Sequence, residues 1–369
     1  MNGPQAFLIS PLRGLNCFQK GKYGMYGNMK CVVKTAAGPE NLQLQEKPIP
    51  SPKAGEVLVK VHLAAICGTD IHIKNWADFA QQRMSPPTTI GHEFVGDIVE
   101  VGQDVDSARI GQLVSAETHI VCHKCPMCMD GKENLCLNTR GLGVHFDGCF
   151  ADYVVIPAEN AMVCNPAVTD ENNAILEPLG TIIQAATKVV ATGKTVAITG
   201  CGPMGLMAVA VFKKMGARKI FCVEINAYRA EAAKKMGADL VLNPMECDIV
   251  QEMRRECDSI GPDIVIECSG SAAAIQPATQ YIRAGGELVQ VALPSREIPI
   301  DFTNVFYRGV NMYGVSGREM FHTWKVMFGL LDAGLDCSGC ISHVLPMKRF
   351  HEGFDLMESG KALKVLLRP

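Results

Sequence analysis

The chain has 369 residues, of which 48% are hydrophobic and 20% charged, and its formal net charge is −3. At roughly 150 residues per domain this length suits about two domains, the composition excludes a disordered chain, and the acidic balance argues against binding nucleic acid through its phosphates. The longest uncharged run, residues 195–212, contains three glycines and a proline close together, which favours a strand, a turn and a helix over a membrane span. We therefore expect no membrane segment.

Cysteine is unusually abundant, with 16 residues. No secretory signal precedes these cysteines and a chain of this length needs no disulfide framework, so we expect a reducing, cytoplasmic compartment. Some cysteines are expected to bind metal and most others to lie in the core, with Cys337 and Cys340 at the surface. Residues 1–29 contain no acidic residue and predict a flexible extension, with a mitochondrial transit peptide as the alternative.

Short extended runs punctuated by glycine and proline predict a β-rich first part, as in residues 57–63, 94–101 and 151–156. After Glu177, strand-like runs alternate with helical stretches. These runs are residues 195–199, 219–223, 239–242, 263–267 and 287–291. Repeated strand–helix units predict an α/β fold with a doubly wound parallel sheet and helices on both of its faces.

The first turn of the predicted α/β domain has the pattern GxGxxG. Gly200 allows the tight turn, Gly202 lets the backbone approach a pyrophosphate, and Gly205 allows close packing of helix on strand. Glu224 ends the next strand, where a carboxylate binds both hydroxyls of an adenosine ribose and repels a 2′-phosphate. The pattern therefore predicts NAD rather than NADP, although Arg229 lies nearby. A surface acid that caps the next helix is the alternative for Glu224.

Four cysteines follow one another in a single loop with the spacing C-x2-C-x2-C-x7-C: Cys122, Cys125, Cys128 and Cys136. Four thiolates this close complete a tetrahedral zinc shell without an open position, so we expect a structural zinc. The seven residues before the last cysteine disfavour a ferredoxin-type iron–sulfur cluster, and the acidic balance disfavours a zinc knuckle for nucleic acid. His123 is expected to be an exposed loop residue.

A second set of metal-ligand types is spread along the chain: Cys67, His92, Glu93 and Glu177. A thiolate, an imidazole and one or two carboxylates form a mixed shell that leaves a position for substrate. Each residue also has an ordinary alternative, as a core cysteine, a hydrogen-bonding histidine at a strand end, or a helix cap before proline. Because His92 and Glu93 are adjacent, a straight strand would direct them to opposite faces. Joint binding of a metal therefore requires a turn there.

The segment Gly91-His92-Glu93-x2-Gly96-x5-Gly102 resembles the zinc signature of the medium-chain alcohol dehydrogenase family. The CGTD segment at residues 67–70, the four-cysteine loop and GxGxxG occur in the order and spacing of that family. The likeness covers about residues 30–369. Further segments are most similar to the branch that oxidises the C3 hydroxyl of L-threonine: residues 67–76, 117–120, 148–157, 224–229, 317–324 and 334–336.

The resemblance implies a GroES-like β-barrel catalytic domain of residues 30–178 and 317–369, and a Rossmann NAD-binding domain of residues 179–316. It implies that Cys67, His92 and Glu93 bind a catalytic zinc, and that Glu177 either occupies an exchangeable fourth position or relays a proton.

The resemblance also assigns roles around the zinc and the cofactor. It implies that Thr69 and His72 form a proton relay and that His119 lies near the substrate. The further cofactor contacts that it implies are Met204, Glu224, Arg229, Val291, Ala292, Leu293, Val315 and Ser316.

The implied activity is hydride transfer from a secondary alcohol, a small-molecule substrate, to NAD, with two zinc ions per chain, one catalytic and one structural. A homotetramer with residues 302–313 at an interface is also implied. After Gly180, residues 181–184 (TIIQ) depart from the Asn-Ala-Val-His-like stretch of the threonine-oxidising branch, so the pocket wall is expected to differ there. Threonine is the expected substrate and a polyol or vicinal diol the alternative. A non-catalytic zinc- and nucleotide-binding protein is a more distant alternative.

Overall fold

The computed structural model describes residues 27–294 and 296–369. The predicted extension, residues 1–29, lies outside the described residues except at its end, where the first strand begins at Asn28. Within the described ranges, no helix combines the length and the apolar character that crossing a bilayer requires.

The strands are β1 (Asn28–Lys34), β2 (Leu42–Pro48), β3 (Glu56–Ala65), β4 (Thr88–Thr89), β5 (Glu93–Val101), β6 (Leu113–Ala116), β7 (His119–Ile120), β8 (Arg140–Gly141), β9 (Tyr153–Pro157), β10 (Ala161–Val163), β11 (Thr195–Thr199), β12 (Lys219–Val223), β13 (Leu240–Leu242), β14 (Ile264–Glu267), β15 (Glu287–Gln290), β16 (Asn311–Gly314), β17 (Ile341–Pro346) and β18 (Lys364–Arg368). The helices are α1 (Gly68–Lys74), α2 (Asp78–Arg83), α3 (Pro126–Met129), α4 (Asp170–Ala174), α5 (Leu176–Thr187), α6 (Pro203–Lys214), α7 (Ala227–Met236), α8 (Ile249–Glu256), α9 (Ala272–Tyr281), α10 (Phe302–Tyr307), α11 (His322–Asp332) and α12 (Phe350–Glu358).

The first part of the chain is built mainly from antiparallel strands around β3. This strand pairs with β5 and β9 and, near its end, with β18 from the C-terminus. The resulting seven-stranded sheet has the order β10-β6-β5-β3-β18-β17, with β9 paired to β3 outside this path. Smaller sheets of order β2-β1-β4 and β7-β8 lie beside it. The last two strands of the chain therefore return to the sheet of the first part.

Six parallel strands form the second sheet, in the order β13-β12-β11-β14-β15-β16. The central strand β11 is buried along its whole length, as expected for a sheet covered by helices on both faces. The order of the strands changes direction at β11: β12 and β13 lie on one side of it, and β14, β15 and β16 lie on the other. Ligands of such sheets bind at this point, outside the carboxyl ends of the strands. The predicted α/β fold with a doubly wound parallel sheet is confirmed.

Helix α5 connects the two parts of the molecule. Residue 178, the predicted domain boundary, falls inside this helix, and the apolar side chains of α5 belong to a core that contains Leu63 and Val95 on one side and Phe212 on the other. Cys337 and Cys340, predicted at the surface, are fully buried because the short turn that carries them packs against α6 and α7. That prediction was wrong.

His62 joins three elements of the first part. Its ring nitrogens lie 3.1 Å from Asp97 Oδ2 on β5 and 3.2 Å from Asp170 Oδ2 on α4. The hydrogen bonds to Asp170 and Asp97 raise the pKa of His62 to about 9, although partial burial opposes them. His62 therefore carries a proton at neutral pH and holds α4, which leads directly into α5, against the sheet.

The stability of the protein should fall as the pH rises through the pKa of His62. Because the folded-state pKa lies above the ordinary value of 6.5, the stabilisation is complete below pH 6.5 and is lost as the pH approaches about 9. A pKa change of this size corresponds to about 3 kcal/mol. Urea unfolding at both ends of this range measures the loss. The His62→Gln protein should lose less, and equal losses in the two proteins would contradict the assignment.

Candidate active site

The mixed ligand set predicted for a catalytic zinc lies in one place. The Sγ of Cys67, a ring nitrogen of His92 and a carboxylate oxygen of Glu93 lie within 4.8 Å of one another. Cys67 caps the N-terminus of α1 directly after β3, and Glu93 is the first residue of β5. Gly91 has a φ of +92°, which is accessible to glycine and strained for other residues. Gly91 therefore allows a turn directly before the His92–Glu93 pair, and the ligand atoms of both residues lie in the cluster.

Asp70, which the sequence analysis did not assign, lies beside two of these ligands. It is fully buried, its Oδ2 accepts a hydrogen bond from the backbone N–H of Cys67 at 2.9 Å, and its Oδ1 lies 3.7 Å from Nδ1 of His92. A carboxylate behind one ring nitrogen of a histidine leaves the other nitrogen, here Nε2, available to a metal. The only signal in the sequence was an acid three residues after a candidate ligand.

Lys364 is a second residue that the sequence analysis missed. Its Nζ lies 2.7 and 2.6 Å from the two carboxylate oxygens of Glu93, and both side chains are buried. Burial lowers the pKa of Lys364, but the charges of Glu93 and Cys67 outweigh it and the net change is upward. Lys364 belongs to β18, so the C-terminal strand supplies the positive charge that a buried carboxylate requires.

A buried arginine holds Glu177 in place. The guanidinium of Arg318 donates two hydrogen bonds to the carboxylate of Glu117, at 2.7 and 2.6 Å, and one to Oε1 of Glu177 at 2.7 Å. Thr118 Oγ1 donates to the same Glu177 oxygen at 3.0 Å. Burial raises the pKa values of both glutamates, but Arg318 outweighs it and lowers that of Glu117 to about 2 and that of Glu177 below its usual range. Glu177 is therefore an oriented carboxylate.

Arg318 and Glu117 received no role in the sequence analysis, although both lie in segments that carried the family resemblance. Gly180 makes room for the arginine: a Cβ at this position would lie 2.6 Å from Cδ of Arg318. A glycine one turn after Glu177 was thus a usable signal that a side chain crosses α5 at this point.

The predicted relay and substrate residues surround this cluster. Thr69 Oγ1 lies 3.8 Å from Cys67 Sγ, and His72 is one turn further along α1 and exposed. Within the described part of the chain, no hydrogen bond joins Thr69 to His72. His119 places Nδ1 3.2 Å from Oε1 of Glu117, with 38% of its side chain exposed. The catalytic roles of these three residues stay predictions.

The GxGxxG turn has the features that a dinucleotide requires. Gly200 has a φ of +81°, a Cβ at Gly205 would collide with the carbonyl of Gly200, and a Cβ at Gly202 would meet no atom within 4 Å. The loop therefore faces open space at Gly202, where a pyrophosphate can approach. Oε2 of Glu224 accepts a hydrogen bond from the backbone of this loop at 2.7 Å, and Nε of Arg229 is buried without a hydrogen-bond partner. An unpaired buried donor in the first turn of α7 fits a bound nucleotide.

The remaining predicted cofactor contacts lie along the same edge of the parallel sheet, at the start of α6 or after strands β15 and β16. They are Met204, Val291, Ala292, Leu293, Val315 and Ser316. Leu293 is 92% exposed, which leaves its side chain available to a ligand. The structure thus brings these residues to one edge, and their contacts with a cofactor stay predictions.

The four loop cysteines have the spacing of a zinc–thiolate tetrahedron. Three of their Sγ–Sγ distances are 3.6, 3.6 and 3.9 Å. With zinc–sulfur bonds of about 2.3 Å, the edges of a tetrahedron are about 3.8 Å long, whereas a disulfide requires about 2 Å. Backbone N–H groups of Cys122 and Asn138 point at Cys136 Sγ, as suits a thiolate. The residues therefore fit a closed structural zinc site.

Two family models match the chain. Residues 53–166 match the alcohol dehydrogenase GroES-like domain, and residues 203–333 match the zinc-binding dehydrogenase domain. The first match confirms the GroES-like part of the predicted fold.

Known proteins similar to the chain agree with these matches. An L-threonine 3-dehydrogenase of Caldanaerobacter subterraneus is 42% identical over 94% of this chain and all of its own length. A zinc-binding dehydrogenase of Sinorhizobium meliloti, solved with NADP, has a TM-score of 0.87 at 28% identity and covers 93% of this chain and all of its own. A 2R,3R-butanediol dehydrogenase of Bacillus subtilis has a TM-score of 0.84 at 25% identity, with 92% of this chain and 99% of its own covered.

Replacing Arg318 should destabilise the protein strongly. Arg318→Met leaves the buried carboxylates of Glu117 and Glu177 without their partner, which costs about 3–5 kcal/mol. Arg349→Met is the matched control, because Arg349 pairs with Glu352 while about half of each side chain is exposed, and its loss should cost less than about 1 kcal/mol. Chemical denaturation of both variants measures the difference. Similar values for the two would refute a buried ionic network.

Proposed function

The chain belongs to the zinc-binding medium-chain alcohol dehydrogenase family, and on this premise we propose that it oxidises the C3 hydroxyl of L-threonine to 2-amino-3-oxobutanoate with NAD. The observation that carries the proposal is the buried cluster of Cys67, His92 and Glu93 beside the carboxylate of Glu177. The similarity to an L-threonine 3-dehydrogenase over nearly the full length of both chains supports the choice of substrate. A protein with a decayed catalytic site is disfavoured, because every ligand type is present.

The residues around the cluster have separate roles in this reaction. Cys67, His92 and Glu93 would hold the zinc, Asp70 orients His92, and Arg318 keeps Glu177 ionised. When bound, the zinc lowers the pKa of the alcohol as a Lewis acid and NAD accepts the hydride.

The proton of the substrate hydroxyl needs a path to water. Thr69 lies beside Cys67, and His72 is exposed one turn away, so we propose that these two residues pass the proton to solvent. Glu224 and Arg229 would bind the adenosine ribose. The carboxylate of Glu224 favours the free 2′-hydroxyl of NAD over the phosphate of NADP.

The same chemistry on a polyol or vicinal diol is the second candidate. The likeness to a butanediol dehydrogenase and the departure at residues 181–184 favour it. In the structure, Ile182 and Ile183 are fully buried in the core and Gln184 is buried as well, so Thr181 is the one residue of this stretch with partial exposure. The difference from the threonine-oxidising branch at residues 181–184 therefore alters less of the pocket wall than the sequence suggests. This limited change favours threonine as the substrate.

We also propose that the catalytic domain comprises residues 30–178 and 317–369 and that residues 179–316 form the NAD-binding domain. The pairing of β18 with β3 supports the return of the C-terminal segment. We further propose that the protein is a homotetramer in the cytoplasm. Phe302, Phe306 and Tyr307 are exposed by 68%, 79% and 82% near the edge strand β16, as a subunit interface requires.

A substrate panel tests the proposed function. Production of NADH from NAD is compared for L-threonine, 2,3-butanediol and sorbitol, each with and without a zinc chelator. We expect chelator-sensitive turnover of threonine, with at least about tenfold lower kcat/KM for the other alcohols. Cys67→Ser should abolish turnover because it removes a zinc ligand. Turnover confined to a diol or polyol would refute threonine as the substrate and leave the zinc- and NAD-dependent mechanism intact. Full activity of Cys67→Ser would refute the mechanism.

A further inference from the structure

One face of α5 runs along the segment that carries Arg318. Glu177, Gln184 and Lys188 are seven and four residues apart, a spacing that aligns side chains on one side of a helix. Glu177 contacts Arg318, while Gln184 and Lys188 both contact the next residue, Glu319. The chain from Arg318 to Glu319 is therefore attached to α5 at points that are two to three turns apart.

Gln184 and Glu319 form a reciprocal pair of hydrogen bonds. Oε1 of Gln184 accepts from the backbone N–H of Glu319 at 3.2 Å, and Nε2 of Gln184 donates to Oε1 of Glu319 at 3.2 Å. The Gln184 side chain is 3% exposed, whereas 38% of the Glu319 side chain is exposed, so the amide is the buried partner of the pair. Lys188 donates to the same carboxylate oxygen at 2.9 Å from a more exposed position. A glutamine amide, with one acceptor and one donor side by side, suits this arrangement.

Hydrogen bonds to the backbone hold the segment on both sides of Arg318: Asn134 Nδ2 donates to the carbonyl oxygen of Ser316 at 3.0 Å, and Thr323 Oγ1 donates to that of Glu319 at 2.8 Å. Gly317, which precedes Arg318, has a φ of +58° and the backbone freedom of glycine, and α11 does not begin until His322. The reciprocal pair on Glu319 is the nearest attachment to α5 on the C-terminal side of Arg318. Movement of this attachment would move the guanidinium that orients Glu177.

We propose that Gln184 and Glu319 form a clamp that holds Arg318 over Glu177, so that Gln184 is a positioning residue of the reaction. The proposal deepens the proposed function and rests on it. It also gives a specific role to residue 184, where the sequence departs from its family, because the glutamine anchors the arginine segment and does not line the substrate pocket. Gly317 separates the clamp from Val315 and Ser316, the nearest predicted cofactor contacts, so the clamp should affect turnover more than cofactor binding.

An exchange of the amide and the carboxylate tests the clamp. Gln184→Glu opposes two carboxylates and removes the donor, so we expect kcat to fall about tenfold while the KM for NAD stays within about twofold. The double variant Gln184→Glu with Glu319→Gln restores one donor and one acceptor, and kcat should return to within about threefold of the wild type. Lys188→Met, which leaves the Gln184 bonds intact, is the control and should change kcat less than about twofold.

Several results would overturn the proposal: an unchanged kcat in Gln184→Glu, a double variant no better than the single, or a KM for NAD that changes as much as kcat. Gln184→Leu, of similar size and without hydrogen bonds, takes the place of Gln184→Glu if that variant does not fold, with the same expected loss. Turnover is measured with whichever alcohol yields NADH, so a wrong substrate assignment leaves the test intact.

Amide hydrogen exchange supplies a readout without turnover. The peptide that contains Glu319 should exchange faster in Gln184→Glu than in the wild type and recover in the double variant, and equal exchange in all three would contradict the clamp. If no alcohol yields NADH, but exchange is faster in Gln184→Glu and recovers in the double variant, the proposed function is refuted and the clamp is not.

Discussion

The catalytic cluster depends on the balance of buried charge. Four buried carboxyl groups, those of Asp70, Glu93, Glu117 and Glu177, stand against two buried cations, Lys364 and Arg318. Acidic groups are therefore in excess in the cluster, and a divalent cation would offset that excess. Buried charges without partners are costly. A zinc ion held by Cys67, His92 and Glu93 would therefore supply positive charge where the buried side chains have an excess of acidic groups.

This constraint explains why the C-terminal part of the chain returns to the first domain. Lys364 reaches Glu93 across 271 residues of sequence because β18 pairs with β3, and Arg318 reaches Glu177 because the segment before α11 crosses α5 at Gly180. Helix α5 has a part in both domains and carries the carboxylate of the cluster in its first turn. Helix α5, which connects the two parts of the molecule, therefore also contributes to the candidate active site. This arrangement brings the candidate zinc ligands towards the edge of the parallel sheet where the predicted cofactor contacts lie.

Local features of the sequence were enough to predict most of the fold and to pick out the residues that the structure groups as candidate metal ligands. The strands of the parallel sheet, the GxGxxG turn and the four-cysteine loop are short patterns whose residue types and spacing determine their structure. Asp70, Lys364 and Arg318 could not be found in this way, because their roles arise from contacts that packing creates. The same holds for Cys337 and Cys340, whose burial depends on helices more than a hundred residues earlier in the chain. The departure at Gln184 was visible in the sequence, but its partner Glu319 was not.

Zinc X-ray absorption spectroscopy tests the central claim most directly, that one zinc is held by four thiolates and a second by Cys67, His92 and Glu93. The wild-type protein should contain two zinc ions per chain with an average of about 2.5 sulfur ligands each, the remaining ligands being nitrogen and oxygen at about 2.0–2.1 Å. In Cys67→Ser, the loss of the mixed site should leave about one zinc with four sulfur ligands. A wild-type spectrum with four sulfur ligands per zinc, or a Cys67→Ser protein with an unchanged spectrum, would contradict the account.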